Sequence, residues 1–273
     1  MLRLLCSLVW LSSHSEGFAP TRAFVRNTAL QVDQGGDWVS SLFKRLLPTP
    51  EDIGLTRFTI QSLPEKFPAI KNKFAENLPS DDTDEKKKLV RQVLAQTNLE
   101  RRPLVLAYSA KRDSFKASAF HEKVDKKGPA VVLCKTKTGG IFGGYNPTGW
   151  VNEGELRGSI AAFLFVFPNG DVKQRPIKLQ KIGGANGAQF DDGGGPKFGA
   201  EGLTIPLGKL GKSISPQKVY SKLGLYYENL PGGVRSILPG GKPEDELEDL
   251  DVYVGDWEGD PVPYSDVMFF QLN

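Results

Sequence analysis

Two cysteines and two histidines serve a chain of 273 residues. Cys6 and His14 fall in an apolar N-terminal stretch with the character of a removable signal, which leaves Cys134 and His121 to the mature chain. Two nucleophilic arrangements follow from that pair: Cys134 with His121 as its base, or a serine with His121 and Asp113. A structural zinc site of cysteines and histidines needs about four ligands, and a three-histidine catalytic site fails on the same count, so no metal site is expected. A reactive thiol must be partly exposed in an electropositive setting. Cys134 instead ends the apolar run Val131-Val132-Leu133, where a strand buries a small thiol as a hydrophobe, and burial is the favoured reading. His121 is expected to make a structural hydrogen bond at its helix end. A redox role for Cys134 is the alternative; with no second cysteine it would end in a mixed disulfide or a sulfenate. Asp191-Asp192 and Glu244 to Asp251 read as loop charges, not as paired catalytic carboxylates.

These groups must be held by the elements around them. Cys134 opens the run Cys-Lys-Thr-Lys-Thr-Gly-Gly-Ile-Phe-Gly-Gly-Tyr145, with Gly139-Gly140 placed for a two-residue reversal between antiparallel strands. Gly143-Gly144 inside the return strand mark a bulge or the close approach of another backbone. Leu104 to Tyr108 is a near-continuous apolar strand, which implies burial on both faces. Ser114 is placed to cap a helix through Lys123 that turns Phe115, Ala119 and Phe120 inward. Ser159 to Phe167 is a buried strand, and Pro168-Asn-Gly-Asp171 turns it into the alternating strand Val172 to Leu179. Gly183 to Gly202 is dense in glycine but lacks the strand, loop and Lys-Ser/Thr order of a phosphate cradle, so turn geometry explains it.

Upstream, Trp38, Val39, Leu42, Phe43, Leu46 and Leu47 recur at helical spacing between Asp37 and Pro48. A proline-rich connection leads to a second helix over 81–98, with Asp82 and Glu85 at capping-box spacing and Leu89, Val90, Val93 and Leu94 as its apolar stripe. Its run Glu85 to Lys88 reads as a solvated face. Composition adds a limit: 35 basic against 32 acidic residues, dispersed, give no clustered patch for nucleic acid.

The order of motifs resembles the TLDc family, the module of oxidation-resistance proteins. The matching pieces are Tyr108-Ser109-Ala-Lys-Arg112-Asp113 with Phe115, Phe120-His121-Glu-Lys123, Lys127-Gly128-Pro129, Cys134-Lys-Thr136, Gly140-Ile-Phe142-Gly143-Gly144-Tyr145, Trp150, and Ala162-Phe163-Leu-Phe165. Gly195-Pro-Lys-Phe198-Gly199 and the late strand Leu250 to Val254 follow in family order. Tyr220 to Leu238 departs from the family. The resemblance implies an α+β fold, a β-sandwich of two antiparallel sheets with flanking helices, and no catalytic machinery or cofactor. It also implies a protein-interaction module for oxidative-stress protection, several members of which bind and regulate the V-type ATPase. The alternative is a redox sensor, hydrolase or peroxide-consuming enzyme using Cys134. The motif positions, Arg112-Asp113 and Gly140 to Tyr145 above all, are then candidates for a shared surface or shared architecture, with architecture favoured for the glycines and aromatics.

The organisation expected is a signal peptide over 1–17, a transit-peptide-like segment over 18–34, a helical extension and linker over 35–100, the TLDc domain over 101–258 and a tail over 259–273. Arg3 and the run Leu4 to Leu11 make the signal, too short to anchor in a bilayer. Phe18-Ala-Pro20 followed by Arg22 and Arg26, with no acid before Asp33, resembles the bipartite presequence of plastid proteins in algae with complex plastids. That resemblance implies a plastid location, with secretion or the endomembrane system as the alternative, and a mature chain without a transmembrane segment. The lone thiol of the mature chain suits a reducing compartment.

Overall fold

A computed structural model describes residues 59–76, 82, 84–152, 156–182, 189–190, 193–208 and 217–263. The signal and transit segments, the helix expected at Asp37 to Leu47, part of the glycine-dense loop and the tail beyond Pro263 lie outside the described residues. The chain divides into two compact units, 1–57 and 58–273, and only the second is described.

The central hairpin joins β2 (Ala130–Thr136) to β3 (Ile141–Asn146) in unbroken antiparallel register, Val132 opposite Gly144 and Lys135 opposite Ile141. Its connection is longer than a two-residue reversal. The Thr136 amide donates to the Gly140 carbonyl at 2.9 Å, leaving Lys137, Thr138 and Gly139 as a three-residue loop with Gly139 at φ +94°, the left-handed position such loops close on. Outward from β3 come β5 (Phe163–Phe167) and β6 (Ile177–Gln180), an antiparallel pair whose connection runs from Pro168 to Pro176. The strand expected from Val172 begins at Ile177, because the Asp171 carboxylate holds the Lys173 amide and the Gln174 side chain in a turn.

On the other side of β2 lies β11 (Glu244–Gly255), twelve residues long. One edge of β11 pairs with β2 from Leu247 to Val254; the other divides between β10 (Lys218–Tyr220) at its start and β1 (Leu104–Ser109) at its end. From β10 a short second layer continues through β9 (Leu203–Thr204) to β8 (Lys197–Phe198). The fold is α+β, mostly antiparallel, with a sandwich-like sheet that turns a corner along β11. A separate pair, β4 (Leu156–Arg157) with β7 (Gln189–Phe190), completes the strands among the described residues.

Side-chain alternation puts two cores on the two faces of the main sheet. Val132, Cys134, Phe142, Leu164 and Val252 face Phe198, Leu203, Ile205 and Val219 of the second layer. Val131, Leu133, Tyr145, Phe163, Phe165 and Tyr253 face the helix α1 (Glu85–Val93) through Val90, Val93 and Leu94. The expected stripe of α1 is therefore the one that packs. Its cap differs: Asp84 receives the Lys86 amide at 3.1 Å, while Asp82 forms a buried ion pair with Arg91, Nε to Oδ2 at 2.6 Å. The helix ends at Val93, and tight turns carry the chain on to β1.

Two further expectations are corrected. β1 is an edge strand, paired on one side only, with Val105 44% exposed and Tyr108 buried, so burial on both faces does not hold. Ser114 does not begin a helix; it follows the short helix α2 (Ala110–Asp113) at φ +81°, and its carbonyl receives the Tyr108 hydroxyl at 2.7 Å. The helix α3 (Ala117–Val124) starts three residues later and buries Ala117, Phe120, His121 and Val124, with Phe115 and Ala119 partly buried beside them.

Candidate functional site

Cys134 sits on β2, at the centre of the sheet, and is fully buried. Burial pushes its thiol well up, and the nearby carboxylates of Asp251 and Asp249 push it further, which disfavours the thiolate that nucleophilic chemistry needs. His121 is engaged elsewhere. Its Nδ1 lies 2.9 Å from Asp125 Oδ1, one turn along α3, and its ring meets Phe120 edge-on at 4.9 Å. Nε2 is buried and has no hydrogen-bond partner among the described residues. Cys134 and His121 are therefore not joined, and Asp113 does not orient the imidazole. Asp113 accepts from the Arg112 guanidinium at 2.7 Å and from the Ser109 amide at 2.9 Å, contacts that hold its carboxyl down at about 2. The groove of about 580 Å³ beside β1 is lined by Glu122, Lys123, Lys127 and Trp257, but by neither Cys134 nor His121.

The aromatic motif residues form a connected packing. Tyr108, Phe120, Trp150 and Phe198 meet edge to face in sequence, with centroids 5.6, 5.5 and 5.9 Å apart. On the other face Tyr145 lies 5.3 Å from Phe163, and Phe165 meets Phe167 at 6.3 Å. Gly143 and Gly144 make this possible without a bulge. A Cβ on Gly143 would stand 1.8 Å from the Val132 carbonyl oxygen and 2.6 Å from the Phe165 ring; one on Gly144 would stand 2.7 Å from the Phe198 ring. Of the two readings of this pair, close approach is the one realised, on both faces at once.

The remaining motif positions behave alike. Gly128 and Pro129 are buried where the chain enters β2, Gly140 lies against Pro239, Phe142 fills the core beside Cys134, and Gly199 underlies Tyr226. Arg112 is exposed, as are the motif's Lys111, Glu122, Lys123, Lys127 and Lys135; its side chain is 52% accessible, with Asp113 half-buried beside it. Its Nη2 also donates to the Ala107 carbonyl at 3.0 Å, so the guanidinium is held against the β1 edge with one face to solvent. These motifs stand in the order and spacing of a known module, and the TLDc domain family matches residues 82–226, just over half of the chain.

The chain belongs to the TLDc family. No curated protein matches it. The TLDc match begins at Asp82, so α1 and its buried Asp82–Arg91 pair fall inside it; it ends at Tyr226, so residues 220–226 of the segment expected to depart from the family lie within the match. That segment is part of the TLDc unit's core, with Leu223, Tyr227, Ile237 and Leu238 buried.

Several charged groups escaped the reading of single motifs. The acidic run Glu244 to Asp251 lies in strand β11, not in a loop. Lysines from different elements cross it: Lys218 to Glu244 at 2.6 Å, Lys137 to Glu246, Lys135 to Glu248 at 3.0 Å, and Lys86 to both Asp249 and Asp251 at 2.7 and 2.5 Å. Lys86 therefore ties α1 to β11, although its run resembled a solvated face. Asp125 could have been found from its spacing, four residues after His121 on one helix face. Arg91 and Lys178, both buried, carry no signal along the sequence. Among the described residues, no group of three or more His, Cys, Asp or Glu could hold a metal ion, and no helix is long and apolar enough to cross a membrane.

Proposed function

We propose that this TLDc chain is a non-catalytic protein-interaction module that contributes to protection from oxidative damage. The observation that carries this reading is the disposition of the family motif: its glycines, aromatics, thiol and imidazole are buried in packing, and its charged side chains, the anchored Arg112 among them, are turned to solvent. A motif so arranged builds a shape from its apolar residues and presents charge at its surface. An oriented, half-exposed guanidinium is suited to a carboxylate on a partner protein.

The family resemblance supplies a candidate partner, the V-type ATPase, whose assembly the module would regulate. The N-terminal sequence favours delivery to a plastid through a secretory signal and a transit segment. A plastid location would place the chain away from that pump, so the two parts of the proposal are separable. The test is affinity capture of the mature chain and of Arg112→Glu from cells of its source, with imaging of the full-length fusion. Recovery of one set of proteins by the mature chain and its loss in Arg112→Glu supports the reading. Equal recovery by both, or turnover of a small molecule by purified protein that stops when Cys134 is replaced, would overturn it. Pump subunits among the captured proteins, with fluorescence on an acidic compartment, would replace the plastid assignment.

A further inference from the structure

Lys178 is a buried lysine without a carboxylate. It lies on β6, opposite Phe165, and is 3% exposed. Its Nζ stands 5.0 Å from the centre of the Phe163 ring and 5.1 Å from that of Phe74, and donates to the Lys73 carbonyl at 2.6 Å. Phe74 and Lys73 belong to the segment Ala69 to Ala75, which crosses the end of the sheet as a strap. The other ties of the strap are the Gln180 side chain donating to the Ala69 carbonyl, Lys71 paired with Glu228 at 2.5 Å, Arg175 over Phe74 at 5.1 Å, and the Ala75 amide donating to Gln92 of α1 at 2.9 Å.

We propose that Lys178 is a proton-linked latch: the strap closes over the neutral amine, and lifting the strap takes up a proton. The physical reason is the imbalance around the ammonium. One carbonyl and two ring faces replace its hydration shell, and that return is too small to hold a full charge out of water.

Burial pushes the Lys178 amine down to about 7, opposed weakly by Glu100. The other charged groups around the strap are Lys71, Lys73, Arg175, Lys181 and Glu228. Lys71 and Lys73 are exposed, and Lys181, the residue after β6, is lowered by burial. With the strap lifted, Lys178 returns to an ordinary lysine value of about 10.4. Between these two values the open form holds a proton that the closed form lacks, so the opening equilibrium falls about tenfold for each unit of rising pH. Below both values each form is protonated and the dependence vanishes. Acidification toward neutrality therefore frees the strap, and alkaline conditions seal it over the aromatic face.

Hydrogen exchange of the 69–75 segment reads this directly, in the regime where opening and closing outpace exchange. Base catalysis raises the intrinsic rate about tenfold per pH unit while the latch lowers the open population by a similar factor. The wild-type rate should therefore stay nearly level between about pH 7.5 and 9.5, whereas Lys178→Met and Lys178→Arg, which cannot titrate there, should show the full climb. A wild-type rate that climbs as steeply as the variants', or a level rate that persists in Lys178→Met, would overturn the latch. Should the variants fail to fold, the Lys178 amine titrated by NMR in the wild type decides: a midpoint near 7 supports it, and an ordinary lysine midpoint ends it.

Discussion

Replacing Gly143 by alanine is the sharpest test of the view that the TLDc glycines serve architecture. Gly143 lies in β3 between β2 and β5, and the added Cβ would sit 1.8 Å from the Val132 carbonyl oxygen, inside the ladder between β2 and β3. A flexible side chain could swing aside; a backbone oxygen in a central strand moves only if the pairing opens. The Phe165 ring, 2.6 Å away on the same face, is itself packed against Phe167. Overpacking of this kind costs up to about 3 kcal/mol or more. Gly139→Ala is the matched control, because nothing lies within 4 Å of its Cβ and the cost is the strain of φ +94° alone. That strain is about 1 kcal/mol. In a domain of this size 1 kcal/mol lowers the melting temperature by roughly 2–4 °C, so the expected losses are about 6–12 °C for Gly143→Ala and about 2–4 °C for Gly139→Ala. Differential scanning calorimetry of the two variants measures both. A Gly143→Ala protein that melts with the wild type would refute the close-approach argument, and with it the assignment of these glycines to packing.

Three further outcomes are expected. Asp82→Ala strands the fully buried Arg91 guanidinium with only the Leu99 and Glu100 carbonyls, at 2.5 and 3.1 Å, and should cost about 3–5 kcal/mol in urea unfolding; a loss below about 1 would show that water reaches the site. The Asp113 carboxyl, held down at about 2 by Arg112 and the Ser109 amide, should keep its charge in an NMR titration well below the ordinary aspartate range. Its contribution to stability is present above the unfolded aspartate value of about 3.9 and is lost as pH falls through the folded value; a midpoint near 4 would mean the pair is broken in solution. Cys134 should resist alkylation by iodoacetamide at mildly alkaline pH in the native protein and react on unfolding, since its thiol is buried and its thiolate disfavoured; rapid native labelling would restore the redox alternative.

Much of the architecture was legible because it rests on patterns local in sequence. The apolar run Val131-Val132-Leu133, the close approach at Gly143-Gly144 and the Leu89-Val90-Val93-Leu94 stripe each express a short-range rule, and each packs as that rule requires. The elements misread were those where a distant partner changes the answer. The run Leu104 to Tyr108 has the composition of a central strand, yet β11 pairs with it along one edge only. Asp82 has the spacing of a cap and is taken instead by Arg91, nine residues on. The acids of β11 look like loop charges until lysines from α1, β2, β10 and α2 are brought across them.

The amino-acid sequence by itself determined the family, the antiparallel β-rich class and the scarcity of catalytic groups, because residue identity and short-range period carry that information. Only the tertiary structure decided which motif residues are buried, that Cys134 and His121 stand apart, and that Arg112 faces solvent. Burial and charge pairing depend on the whole sheet closing around a residue, and a lysine such as Lys178 reads like any other until two aromatic rings and a crossing strap exclude water from it.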